Sequence, residues 1–307
     1  MTRQGWITVG VDDSDGSRAA IRWAAHEAQR VGAGLRLLHV FSDVMPMGAL
    51  YASASPGMPI EGRRLAERTV RAAAEPVKRA LKDVPLDEVV LRGDRRTGLL
   101  HAAAHSDLMV LGDVEHPARH RVITGSVIGP VAAHSPTPVV VVPADCHPDP
   151  GRGVVVAGVK FFAASHQTVR QAFEVAAARE ARLVVLHAWE YSAPESNLLI
   201  EHADLVAWEE RSAKELRQVV DEVSRDFPGV EVEVRFVRGQ PAKVLAEASA
   251  DSDLITITRR VHGFPFGHLG AAGRAVLRET RCPAMVLPPT LENLPMTVPG
   301  DRNEAAS

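Results

Sequence analysis

The sequence predicts an α/β protein built as two tandem doubly wound domains, each around a five-stranded parallel sheet. The first observation is length: 307 residues are ample for two domains that each bury a core of their own. The second is an internal repeat. "ITVGVDDSDGSRAAIRWAAHEAQRVGAGLRLLHVF" lies without a gap over "VVVAGVKFFAASHQTVRQAFEVAAAREARLVVLHAW". Gly10 thereby meets Gly158, Ser17 meets Ser165 and His39 meets His187, each displaced by 148 positions. The later segments repeat as well, "HSDLMVLG" against "DSDLITIT" and "GSVIGPVAAHSPTPVVVVP" against "GAAGRAVLRETRCPAMVLP". The third is the alternation, inside each repeat, of short β-branched runs with longer amphipathic stretches, the pattern of a parallel sheet covered on both faces.

The elements follow in order. "WITVGV" reads as a buried strand, and after a Ser/Asp/Gly start able to cap a helix, Ala20, Ile21, Ala24, Ala25, Ala28 and Val31 recur at helical spacing. "LRLLHVF" is a second strand, and residues 61–84 form a second helix with Pro76 as an expected kink. "LDEVVLRGD" is a third strand and "TGLLHAAAHS" a short helix. "DLMVLG" is a fourth strand, "GSVIGPVAAHS" a helix despite Pro130, and "PVVVVP" a fifth strand. The second repeat supplies "VVVAGV", "RLVVLHAW", "VEVEVRFVRG", "DLITIT" and "PAMVLP" as its strands. These readings divide the chain into a first repeat over residues 1–145, a second over 153–289 and a flexible tail over 290–307, with a Pro- and Gly-containing seam at 144–153. The Met-, Gly- and Pro-rich stretch 42–62 is expected to be a long mobile loop near a site.

Composition narrows the function. A formal net charge of −3 gives no support to a nucleic-acid partner held by bulk positive charge. No apolar run approaches the roughly 18 to 20 residues needed to span a bilayer, and the N-terminus lacks a signal-peptide profile. The two cysteines, Cys146 and Cys282, are too few for a disulfide framework, which fits the reducing cytoplasm. "VDDSDG" fails as a calcium loop because an aligned twelfth position would be Arg22. His101 and His105 share a helix face, yet no third zinc ligand is evident. No nucleophile elbow, Walker motif or carboxylate pair points to catalysis. A non-enzymatic protein is expected.

In a doubly wound sheet, ligands bind beyond the carboxyl ends of the strands where the winding reverses. The first strand ends in Asp12, an acceptor suited to ribose hydroxyls, and the fourth in Leu111 and Gly112, where glycine permits close approach of backbone to a ligand. Gly125 and Ser126 open a helix, whose free N–H groups and dipole favour an anion.

On these residues the chain resembles a tandem universal stress protein. The resemblance rests on "GVDDSDGS", on "LLHV" and on the loop "GDVEHPARHRVITGS", and covers residues 5–143 and 153–289. It implies a Rossmann-like fold of the adenine nucleotide alpha hydrolase type. It also implies that Gly10, Val11, Asp12 and Val40 surround adenine and ribose, and that Leu111, Gly112, Gly125, Ser126, Val127 and Ile128 hold the phosphates of ATP, ADP or AMP, with Mg²⁺ as an optional companion. The two repeats would pair through their fifth strands as a pseudo-dimer; whether chains associate further stays open. The family loop pattern departs at Glu115, where a second glycine is expected. A carboxylate about 4 Å from a phosphate oxygen costs on the order of 4 kcal/mol at an effective dielectric near 20. Arg119, His120 and Arg121 in the same loop offer compensating charge.

The second repeat departs further: Lys160 stands for Asp12, Thr258 for Gly112 and Ala271 for Ser126. One reading is a degenerate half kept for packing; the other is a basic pocket of Lys160, Arg259, Arg260, His262 and His268 for a different anion. His39 and His187 persist where ligand residues do not, so a structural hydrogen bond is expected of both. The functional alternatives are a nucleotide-responsive stress protein, a ligand-free scaffold acting through protein partners, and, less favoured, a weak ATPase.

Overall fold

The computed structural model describes residues 5–42, 58–113, 127–146, 151–160, 165–190, 201–259 and 269–289. The first repeat runs β1 (Trp6–Gly10), α1 (Asp15–Val31), β2 (Gly34–Phe41), α2 (Met58–Ala80), β3 (Leu86–Arg92), α3 (Arg95–Ala103), β4 (Leu108–Gly112), α4 (Ile128–His134) and β5 (Val139–Val142). The second runs β6 (Val154–Gly158), α5 (Ser165–Ala178), β7 (Arg182–Trp189), α6 (Glu201–Ser224), β8 (Val232–Arg238), α7 (Pro241–Ala248), β9 (Leu254–Thr258), α8 (Ala271–Glu279) and β10 (Ala284–Leu287).

All ten strands form one sheet in the order β3-β2-β1-β4-β5-β10-β9-β6-β7-β8. Every pairing within a repeat is parallel. The seam is antiparallel, with Val139 opposite Val286, Val140 opposite Met285 and Val141 opposite Ala284. This is the fifth-strand contact expected from the resemblance, and its physical reason is plain. The four valines of β5 are all buried, and a strand so apolar left at an edge would invite aggregation. Strand alternation sends the core to two faces. Ile7, Val9, Leu35 and Leu37 pack with α1 and α2 on one side, where α5 and α6 also lie. Leu38, Met109, Val139 and Val141 pack with α3, α4, α7 and α8 on the other.

Several boundaries move relative to the sequence reading. α2 starts at Met58 rather than Glu61, and carries Pro76 inside it. Residues 43–57 of the stretch expected to form a loop lie outside the described residues, as does the tail. β3 stops at Arg92 because Gly93 turns the chain with φ 145°. Asp94 then caps α3 by accepting from Thr97 N and Thr97 Oγ1, both at 2.8 Å; these bonds hold its carboxyl below the usual range. α4 begins at Ile128, later than Gly125, and has no side-chain cap. Pro130 is its third residue, where a backbone N–H would lack a helical acceptor anyway.

His39 and His187 play the structural part expected. The Nδ1 of each lies 2.7 Å from a carbonyl oxygen, Val11 O and Val159 O respectively. The imidazole thus fastens the end of each second strand to the chain leaving the first. Burial lowers the His187 pKa from 6.5, while the bond to Val159 opposes that shift. A histidine kept neutral when folded but free to protonate when unfolded adds stability above pH 6.5 that is lost as pH falls below it. Urea denaturation between pH 8 and 5 is therefore expected to show a falling midpoint below pH 6.5. A His187→Gln chain should show a shallower fall; an equally steep one would assign the effect elsewhere.

Candidate functional site

The strand order places β1 between β2 and β4. The chain winds outward from β1 through β2 to β3 and then returns to the far side of β1, so the carboxyl ends of β1 and β4 flank the reversal. Asp12 leaves β1 there and is exposed. Its Oδ1 accepts from Ser14 N at 2.9 Å and from Ser14 Oγ at 2.5 Å. Ser14 Oγ in turn caps α1 by accepting from Ser17 N, and Ser17 Oγ accepts from Asp12 N at 3.0 Å. The carboxylate is thus fixed through one oxygen, with the second free of those bonds. The sequence reading missed Ser14 and Ser17 as its supports, although an Asp-x-Ser turn before a helix is a recognised local signal.

Val11 is buried, and its backbone is committed on both sides: its N–H donates to Leu38 O at 2.8 Å, and its carbonyl faces His39 Nδ1. Val40 is different. Leu38 O receives a bond from the β1 side and Phe41 O one from Gly93 on the β3 side. In a parallel ladder these directions alternate, so Val40, two residues past Leu38, turns its amide and carbonyl toward the space beyond the end of β1. Its side chain is buried against Gly98 of α3, where an added Cβ would stand 2.9 Å from Val40 Cγ1.

The glycines have packing duties. A Cβ on Gly10 would stand 2.7 Å from Leu111 Cδ2. One on Gly112 would stand 2.0 Å from Gly16 O, and one on Gly16 would stand 2.0 Å from Asp113 O. The first turn of α1 therefore rests directly on the backbone that leaves β4. Glycine at 112 serves this contact, a role distinct from the approach to a ligand expected of it. Val127 and Ile128 sit half-buried at the start of α4. Gly125, Ser126, Glu115, Arg119, His120 and Arg121 lie outside the described residues.

In the second repeat the same backbone frame recurs, with Val159 N bonded to Leu186 O and Gly239 N to Trp189 O. Arg259 follows β9 half-buried, and burial lowers its pKa. Arg260, His262 and His268 lie outside the described residues. Among the described residues, no group of three or more His, Cys, Asp or Glu side chains could hold a metal ion. No described helix is long and apolar enough to cross a membrane.

Fold and strand order together define a duplicated, doubly wound α/β protein whose winding reverses at the carboxyl ends of β1 and β4 in its first repeat. The Universal stress protein family model matches residues 6–143 and 152–288, and the chain belongs to that family. It is 28% identical over 295 residues to a universal stress protein of Mycolicibacterium smegmatis, covering 92% of this chain and 97% of the relative. It is also 28% identical over 293 residues to one of Mycobacterium tuberculosis, covering 91% and 95%. Among solved structures, a universal stress protein from Archaeoglobus fulgidus aligns over 92% of this chain and 98% of its own with a TM-score of 0.66 at 18% identity, a likeness of fold.

Proposed function

We propose that the first repeat, residues 1–145, binds an adenine nucleotide in the crevice above β1, β2 and β4 and acts in the stress response without catalysing a reaction, in the cytoplasm. The observation that carries this reading is the convergence of the anchored Asp12 carboxylate and the outward-turned Val40 backbone beside the end of β4. Asp12 would take the ribose hydroxyls, and Val40 with Gly10 and Val11 would border the base. Leu111, Gly112, Gly125, Ser126, Val127 and Ile128 would frame the phosphates, with Mg²⁺ able to offset the Glu115 charge. Occupancy would alter the 112–125 loop and the surface it offers, which requires different affinities for two states of that loop. The second repeat, residues 153–289, has lost the matching side chains and serves as packing partner.

A second reading has one observation in its favour: Gly10 and Gly112 already have packing jobs, as they would in a ligand-free scaffold. Thermal unfolding with ATP, ADP and AMP, together with mass spectrometry of small molecules released from the purified chain, separates the two. A rise in midpoint that saturates with nucleotide supports the crevice, and an unmoved midpoint at millimolar nucleotide supports the scaffold. Glu115→Gly is expected to tighten ATP binding on the order of a hundredfold or more; an unchanged affinity would mean that this carboxylate points away from the phosphates.

A further inference from the structure

A cavity of about 910 Å³ opens on the side of the molecule where the repeats meet, lined by α1, the linker and the amino ends of β6, β9 and β10. Four arginines border it, one from each adjoining element: Arg30 on α1, Arg152 in the linker, Arg179 after α5 and Arg281 before β10. Three carboxylates share the lining, and two are committed. Glu27 takes Arg30 Nη2 at 2.6 Å and Arg179 Nη2 at 2.9 Å, so one buried carboxylate serves two guanidiniums. Asp253 accepts from the backbone N–H groups of Arg152 at 2.7 Å and Val154 at 2.9 Å. Among the described lining residues, exposed Asp145 is the one carboxylate left to answer the remaining cations.

The arginine side has donors to spare. The side chains of Arg152 and Arg281 are exposed and make no ion pair or side-chain hydrogen bond among the described residues. Arg179 is mostly buried over the Trp23 ring, and its Nη2, though close to Glu27, makes no well-directed hydrogen bond. Forked guanidinium donors match phosphate oxygens in pairs, and a low-dielectric wall strengthens each contact. We propose that this cavity is a binding site for a compact phosphate polyanion, held between Arg152 and Arg281 at the mouth with Arg179 behind. Arg152 belongs to the linker and Arg179 and Arg281 to the second repeat, so the bound anion would fasten the linker to the second repeat, beside the Glu27–Arg179 contact that reaches it from the first.

The site is separate from the proposed nucleotide crevice, and its test keeps them apart. Inorganic pyrophosphate is titrated at low ionic strength into the full chain carrying Gly125→Leu, so that the 112–125 loop cannot contribute. Saturable binding with a raised unfolding midpoint is expected, weakened about tenfold by Arg281→Ser and again by Arg152→Ser in the same background. Both arginines are exposed, so both variants should fold, as circular dichroism would confirm. Absence of saturation, or equal affinity in the variants, overturns the proposal. Neither result bears on ATP binding by the chain with Gly125 intact.

Discussion

Replacing Glu27 with glutamine is expected to cost about 3 to 5 kcal/mol of stability, the range for removing one partner of a buried ion pair. Glu27 lies on α1 and is 8% exposed. It binds Arg30 one turn later and Arg179 of the other repeat. Burial lowers the Arg179 pKa and Glu27 opposes that shift, with Asp253 adding a weaker pull in the same direction; without the Glu27 carboxylate, a mostly buried guanidinium keeps the Trp23 ring and the lesser attraction of Asp253. Arg30 adds a second tie by donating Nη1 to Ala178 O. Arg30 and Ala178 are equivalent positions of the two repeats, so this cluster sits close to the pseudo-twofold axis relating them. Urea denaturation checks the cost. A loss below about 1 kcal/mol would place the cluster with screened surface pairs. The double replacement Glu27→Met with Arg179→Met should recover most of the stability, because apolar substitutes for a buried pair are often neutral.

None of that cluster was legible in the sequence, and the reason is physical. Glu27 and Arg179 stand in a mixed-charge context that reads as solvated surface, and only the antiparallel closure of β5 on β10 turns those faces toward each other. Periodicity and repetition carried most of the rest. β-branched runs bounded by Gly and Pro specified strands, and the unbroken register of the repeats tied His39 to His187 before either bond could be seen. Element ends were harder to place. Where a cap decides them, as at Asp94, the signal is a single side chain whose partner lies three residues on. At the candidate site, the place of Asp12 just past the end of β1 was legible from the strand pattern. Its supports Ser14 and Ser17 were not, since a serine near a helix start reads first as a cap. Gly112 was singled out for the close approach of backbone to a ligand; the contact the structure adds at that position is with Gly16, about a hundred residues away in the chain.

That contact carries the second large effect. Gly112→Ala would set a methyl group 2.0 Å from Gly16 O and 2.6 Å from Ser17 N, both backbone atoms. A flexible side chain could swing aside, but a helix turn cannot, so α1 must lift from β4 along its first turn. Overpacking against yielding side chains costs typically 1 to 3 kcal/mol; against fixed backbone, a loss of about 3 kcal/mol or more is expected. Gly16→Ala should match it, because its own Cβ meets Asp113 O at 2.0 Å. Gly129→Ala is the control: it also lies near the β4 to α4 connection, yet a Cβ there meets nothing within 4 Å. Inside α4, alanine should gain roughly 0.5 to 1 kcal/mol over glycine. Denaturation midpoints of the three variants decide the matter, and a Gly112→Ala chain as stable as the parent would refute the backbone contact. The same displacement reaches the candidate site, since the turn that must move carries Ser14 and Ser17, which hold the Asp12 carboxylate and amide. Under the proposed function, Gly112→Ala should therefore weaken ATP binding even in molecules that stay folded, whereas Gly129→Ala, which leaves that turn in place, should keep Asp12 fixed.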